Sequence, residues 1–167
     1  ASNAQANGYK VKWMDGIAEE QSFDDWFKEL KKFKSTNHFN YTTDDQLDQV
    51  CNAPELGAGI FLVFDVKGEE KTLLMVGSTG TVQNNGDLKA KNGGLFDKIV
   101  NGNQFTKSAR KFSWPTQMKK EEITALEVHW YETFNAKNKS IPTFVEAQIL
   151  QLFFEENNCL PKWNVAF

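Results

Sequence analysis

Cysteine and long hydrophobic runs are both scarce in this chain. The two cysteines among its 167 residues, Cys51 and Cys159, lack the paired spacing of a zinc site and are too few for a disulfide framework, so we interpret them as buried thiols. No run approaches the roughly 18 to 20 apolar residues that a membrane-spanning helix needs. We therefore expect a soluble protein with no membrane partner, and we predict a cytoplasmic location.

What the chain does contain predicts one folded domain. Apolar residues make up 40% of the sequence and include 14 Phe and 5 Trp, which is enough to fill a core without disulfide bonds. A second independent core is not expected at this length. Residues Ala1-Ser2-Asn3-Ala4 resemble the remnant of a cleaved tag, which leaves open a trimmed segment upstream.

Positive charge is concentrated in one part of an otherwise acidic chain. The net charge is −3, but residues 81–120 hold eight lysine and arginine residues against two aspartates, a net charge of +6. A local positive field of this kind suits a polyanion bound on one face, and a solvated lysine-rich loop explains it equally well.

The basic segment also carries aromatic residues, a mixture that suits phosphate contact and base stacking. In the alternative interpretation the aromatics anchor the segment to the core while the lysines cover the surface. Our candidate nucleic-acid contacts are five of its eight cationic residues, Lys89, Lys91, Lys107, Arg110 and Lys111. The interleaved aromatics are Phe105, Phe112 and Trp114.

The first third of the chain predicts a strand followed by two helices. Residues 9–14 alternate between apolar and polar, as a strand does. From Ser22 onward, apolar residues recur with helical spacing as far as Phe33. A shorter helix is predicted from Thr43 to the residue before Pro54.

The remainder of the chain predicts a hairpin, a short helix, a third strand and a final helix. Residues 59–66 and 72–77 are apolar runs joined by a short turn, which is typical of a central β-hairpin. Gly102 is expected to end a helix that begins near Leu95. Residues 105–122 are expected to be irregular because Trp114-Pro115 should break a helix there. Periodicity predicts the last two elements, a strand over 125–134 and a helix over 143–158.

In this order, five short motifs together resemble the GIY-YIG nuclease superfamily. They are Gly59-Ile60-Phe61, Met75-Val76-Gly77, Leu95-Phe96-Asp97-Lys98-Ile99, Thr143-Phe144-Val145-Glu146 and Leu160-Pro161-Lys162-Trp163-Asn164. The resemblance implies an α+β fold with a small three-stranded antiparallel sheet flanked by helices. It covers residues 58–167, so residues 1–57 are expected to be an N-terminal strand and helix elaboration of the same domain.

The resemblance implies phosphodiester hydrolysis with Mg²⁺ or Mn²⁺. In the family, a tyrosine helps to activate water, an arginine supports the phosphate charge, and a glutamate holds one divalent ion; Glu146 stands at the glutamate position. This chain departs from the pattern because Phe61 and Met75 occupy both tyrosine positions and cannot exchange a proton. Lys98 at the arginine position keeps the charge but lacks the planar fork. Asn164 stands at the family's closing asparagine.

Two interpretations of Glu146 remain open on sequence grounds. Its spacing from Ile149 and Leu150 turns the carboxylate toward the apolar side of the helix, where it needs a cation or a donor. Alternatively, Thr143 and Glu146 form a capping box at the helix start. His129 or Tyr131 could replace the missing base, or both are ordinary sheet residues with satisfied polar tips.

The leading hypothesis is a nucleic-acid-acting domain of GIY-YIG type. It is either a weak metal-dependent endonuclease or a catalytically impaired descendant that still binds nucleic acid, with DNA favoured. The competing hypothesis is a protein-interaction module that kept the scaffold and lost the chemistry. The first requires that the hairpin end, Lys98 and Glu146 lie together in space.

Overall fold

The structure, a computed structural model, describes residues 9–11, 28–89 and 92–167. The strands are β1 Tyr9–Val11, β2 Thr36–Thr42, β3 Ala58–Lys67, β4 Glu70–Thr79, β5 Thr81–Val82, β6 Leu88–Lys89 and β7 Ala125–Phe134. The helices are α1 Leu47–Val50, α2 Gly94–Asn101, α3 Arg110–Glu121 and α4 Pro142–Asn157, with a 3-10 turn at Leu30–Lys32. Among these residues, no helix has both the length and the apolar character needed to cross a membrane.

The main sheet confirms the predicted α+β class but is larger than predicted. Its strand order is β1-β4-β3-β7-β2, and every neighbouring pair is antiparallel. The predicted three strands are its centre, β4-β3-β7. The prediction of three strands is wrong because β2 pairs with β7 over its whole length and the short β1 adds to the other edge.

Strand β2 was missed because its sequence has a weak apolar signal. Only Phe39 and Tyr41 are buried among its seven residues, as expected for an edge strand with one solvated face. His38 of β2 pairs with His129 of β7. The predicted helix from Ser22 falls mostly outside the described residues; near its end, Leu30 and Phe33 are buried.

The sheet has a hydrophobic core on each face because β3 is apolar on both sides. Phe61 and Val63 point to the face covered by α1, α2 and α3, while Ile60 and Leu62 point to the face covered by α4, as strand alternation requires. Gly59 permits the closest approach of β3 to β7, since a Cβ there would lie 1.8 Å from the carbonyl oxygen of Tyr131.

Helix α3 contradicts the prediction that residues 105–122 are irregular. Pro115 lies inside the helix, although a proline there removes a hydrogen bond and costs about 3 kcal/mol. Trp114 and Met118 on the same helix are fully buried, and burying two such side chains contributes a comparable free energy. Tertiary packing therefore outweighs the local preference.

Helices α2 and α4 follow the sequence closely. α2 ends at Asn101 and is followed by Gly102 at its C-cap, as predicted. α4 begins at Pro142, the first-turn position where proline is best tolerated. Its inward side chains, Val145, Ile149, Leu150 and Phe153, pack on the sheet.

Candidate functional site

Three polar groups from separate elements lie near one another at the end of the hairpin. The Ser78 hydroxyl, at the end of β4, donates a hydrogen bond of 2.6 Å to Oε1 of Glu146 on α4. Lys98 on α2 lies close enough for its positive charge to act on the same carboxyl. We call Ser78, Lys98 and Glu146 the hairpin-end site.

Glu146 is a buried carboxylate that accepts a hydrogen bond from the Ser78 hydroxyl. The residue is 9% exposed. Burial raises the pKa of Glu146 above its ordinary value, while the Ser78 hydrogen bond and the Lys98 charge act in the opposite direction. The net effect is a raised pKa, so the carboxylate is less stabilised here than it would be in water.

The capping-box interpretation of Glu146 is wrong. The N-cap of α4 is Ile141, and no side chain bonds the cap. Thr143 falls inside the first turn rather than at its start. The Glu146 carboxyl instead accepts a hydrogen bond from Ser78. This confirms the prediction that a carboxylate turned toward apolar neighbours needs a hydrogen-bond donor.

Phe61 and Met75, at the two tyrosine positions, belong to the hydrophobic core. Phe61 is fully buried and Met75 is 5% exposed. The Phe61 ring occupies the space above Gly77, where an added Cβ would meet it at 2.4 Å. Met75 Sδ accepts a hydrogen bond of 3.4 Å from Nε2 of Gln104. Neither side chain offers proton chemistry to the hairpin-end site.

Arg110 does not lie on the surface, where we had predicted a nucleic-acid contact. It is 6% exposed, and its Nη1 and Nε donate to the Lys98 carbonyl at 2.5 Å and to Oε1 of Gln104 at 2.8 Å. Its Cζ is 5.3 Å from the Phe61 ring centroid. Burial lowers the pKa of Arg110 to about 10. The guanidinium therefore stabilises the C-terminal end of α2, whose carbonyls favour a cation.

Asn164 fastens the C-terminal segment to the hairpin. Its Oδ1 accepts from the Val76 backbone N–H at 2.9 Å, and its Nδ2 donates to the Val76 carbonyl at 3.0 Å. The Trp163 N–H also donates to the carbonyl of Leu74. Both polar atoms of the Asn164 amide are thus engaged by backbone, and the structure gives this residue a role in holding β4 rather than in chemistry.

The predicted nucleic-acid lysines have different surroundings. Lys89 and Lys107 are exposed and Lys111 is half-buried, while Lys91 lies outside the described residues. Lys89 pairs with Thr81 in the small β5–β6 ribbon that follows β4 directly, and Thr81 lies three residues after Ser78 along the chain. Lys89 and Lys107 therefore leave positive charge on the surface.

His129 and Tyr131 lie on the α4 side of the sheet but in different surroundings. His129 Nε2 is 2.7 Å from Oε1 of Glu127 and its ring stacks on His38, so the histidine belongs to a separate polar cluster. Tyr131 shares a cross-strand row with Ile60 and Ser78. Burial raises the pKa of Tyr131, which argues against an easily lost proton.

A metal at this site would have one protein carboxylate. Among residues 9–11, 28–89 and 92–167, no three His, Cys, Asp or Glu side chains are grouped as a metal cluster. Mg²⁺ sites that act on phosphates often use one or two carboxylates, with water and substrate oxygens as the other ligands. Glu146 forms no salt bridge with any residue of the described ranges, and its buried carboxylate fits that minimal donor set.

Sequence reasoning missed Ser78, although a signal was present. Ser78 directly follows Met75-Val76-Gly77, where a hydroxyl at a strand end can reach a neighbouring element.

Comparisons of this chain with models of protein families, with curated proteins and with solved structures found no match.

Proposed function

We propose that this protein is a nucleic-acid-binding domain of GIY-YIG type in which the hairpin-end site retains, at most, a weak metal-dependent endonuclease activity. The observation that carries this proposal is the hydrogen bond between Ser78 and Glu146 beside the charge of Lys98. A carboxylate for a cation and a lysine for a phosphate are the two charges that phosphodiester chemistry needs at one place.

We place binding before catalysis because the site has the charged residues Lys98 and Glu146 but no proton-transferring side chain at positions 61 and 75. Lys98 would neutralise a phosphate oxygen as a point charge. Glu146 would hold Mg²⁺ or Mn²⁺, which lowers the pKa of bound water and polarises a phosphoryl oxygen when present. With Phe61 and Met75 buried, no protein base replaces the lost tyrosines at those positions, so hydrolysis is expected to be slow.

The experiment measures nicking of supercoiled plasmid with Mn²⁺ and, in parallel, salt-dependent binding to duplex DNA. We expect slow nicking that is lost in E146Q, and binding that weakens steeply with salt because several phosphate contacts release counterions. The matched control is E155Q, which removes an exposed carboxylate from the same helix. Equal nicking by wild type and E146Q would contradict the metal role, and salt-insensitive or undetectable binding would contradict the nucleic-acid function.

A second function, protein interaction, is favoured by the outer side of α4 and the residue that precedes it. Ile141, Phe144 and Phe154 are 45%, 58% and 47% exposed, which is unusual for three large apolar side chains on one short segment. A stoichiometric protein partner that survives nuclease treatment and is lost in F144E would favour this function. Co-purified nucleic acid and no such partner would exclude it.

A further inference from the structure

Helix α3 presents an aromatic side chain to solvent within a basic surface. Phe112 is 65% exposed, and with a period of 3.6 residues it shares the outer stripe of the helix with Thr116 and Lys119. Lys111 Nζ lies 5.3 Å from the Phe112 ring centroid. We call Lys111, Phe112, Thr116 and Lys119 the α3 outer surface.

The α3 outer surface has no acidic side chain to neutralise it from its own helix. The only carboxylate in α3, Glu121, accepts hydrogen bonds from Gln117 and from Trp163 Nε1 and pairs with Lys162. Lys119 and Lys120 are both exposed in the last turn. The exposed C-cap residue Glu122 adds one carboxylate at this end of the helix. Lys111, Lys119 and Lys120 outnumber it, so the surface is complementary in charge to a polyanion and offers a flat ring beside the charge.

The outward direction of Phe112 is fixed by the residues that point inward. Trp114 and Met118, on the opposite side of α3, are fully buried, and Trp114 Nε1 donates to Oε1 of Gln104 at 2.8 Å. Arg110, at the first position of the helix, is bonded to the Lys98 carbonyl. These contacts hold the inner side of α3 against the core. The helix begins at Arg110, which contacts the backbone of Lys98, the lysine of the hairpin-end site.

We infer that the α3 outer surface binds single-stranded nucleic acid, with Phe112 stacking on a base and the adjacent lysines contacting phosphates. Unpaired bases expose the faces that an aromatic ring can stack on, whereas a duplex hides them. Lysine and an exposed ring together are the elements of sequence-tolerant single-strand binding. The inference rests on the proposed function and specifies its substrate as a strand with unpaired bases.

The experiment compares binding of a fluorescein-labelled oligothymidylate and of a duplex to wild type, F112L, F112Y and F144L at one salt concentration. Base stacking contributes about 1 to 3 kcal/mol, so we expect F112L to weaken single-strand binding about 5- to 100-fold. F112Y, which keeps the ring, should bind like wild type. F144L, which removes an exposed ring on another helix, should have no effect, and duplex binding should change little in all variants.

The outcomes separate the inference from the proposed function. If wild type binds DNA but F112L binds oligothymidylate as tightly as wild type, the stacking surface is wrong and the nucleic-acid function stands. Equal losses in F112L and F112Y would also overturn stacking, since the tyrosine ring should restore it. If wild type binds neither DNA form, the proposed function fails first and the inference fails with it.

Discussion

Two carboxylates on the same face of the sheet have opposite surroundings. Oε1 of Glu127 is contacted by both Lys71 Nζ and His129 Nε2, each at 2.7 Å. Glu146 instead accepts a hydrogen bond from the neutral Ser78 hydroxyl. Burial would raise the pKa of Glu127, but the hydrogen bonds and charges of Lys71 and His129 outweigh it and the pKa is lowered. For Glu146 burial prevails and the pKa is raised.

The difference indicates what each carboxylate is for. Glu127 is neutralised within the protein, so it acts as part of the structure. Glu146 is buried without a close ion-pair partner among the described residues, at the cost of stability that an incompletely compensated charge entails. Groups kept at such a cost are found disproportionately at functional sites, which agrees with a site at Glu146.

Removing the charge of Glu127 should produce the largest effect. E127Q leaves Lys71 and His129 without the anion that both contact, and we expect the free energy of unfolding to fall by about 2 kcal/mol at neutral pH. Because the folded pKa is lowered, this stabilisation is present above about 4.5, the ordinary value, and is lost as pH falls through the folded pKa. Urea unfolding at pH 7 and pH 4 measures it; equal stability of E127Q and wild type at pH 7 would remove the contrast.

Removing the charge of Glu146 should change the free energy of unfolding in the opposite direction. A raised folded pKa means that the group stabilises the fold below its ordinary value of 4.5 and that this contribution is lost as pH rises through the folded pKa. E146Q, which keeps an acceptor for Ser78, is expected to gain about 1 kcal/mol at pH 7 and nothing at pH 4. A loss of stability at pH 7 would show that the carboxylate is neutralised after all.

Removing the Ser78 hydroxyl should produce the smallest effect. S78A takes one hydrogen bond from Glu146, and we expect a loss of about 0.5 to 1 kcal/mol. Since that bond lowers the pKa of Glu146, its removal should raise the pKa further. An NMR titration of the side-chain carboxyl measures the shift, and a pKa that falls or stays constant in S78A would contradict the described contact. S140A is a control at another part-buried serine.

The elements with strong periodicity were predictable from sequence, and those set by tertiary packing were not. The β3–β4 hairpin, α2 and α4 follow from apolar spacing and from Gly102. Strand β2 was not predicted because Phe39 and Tyr41 are its only buried residues. Helix α3 was not predicted because Pro115 disfavours a helix locally, and the burial of Trp114 outweighs that preference.

The candidate site was predictable only where local sequence patterns determine it. Glu146 was identified from the motif resemblance, and its helical position, which turns it toward apolar neighbours, gave a separate physical argument. Its partner Ser78 is 68 residues away in sequence, and no local pattern connects them. Arg110 was assigned to the surface with the lysines around it, since nothing in its immediate sequence shows that its guanidinium lies against the end of α2.

Anomalous diffraction from crystals soaked in Mn²⁺ with a short oligonucleotide tests the central claim most directly. The account predicts an ion about 2 Å from a Glu146 oxygen, with a phosphate between the ion and Lys98, and none at Glu127. A clear Mn²⁺ peak elsewhere in the protein, with Glu146 still bonded only to Ser78 and no phosphate near Lys98, would contradict it.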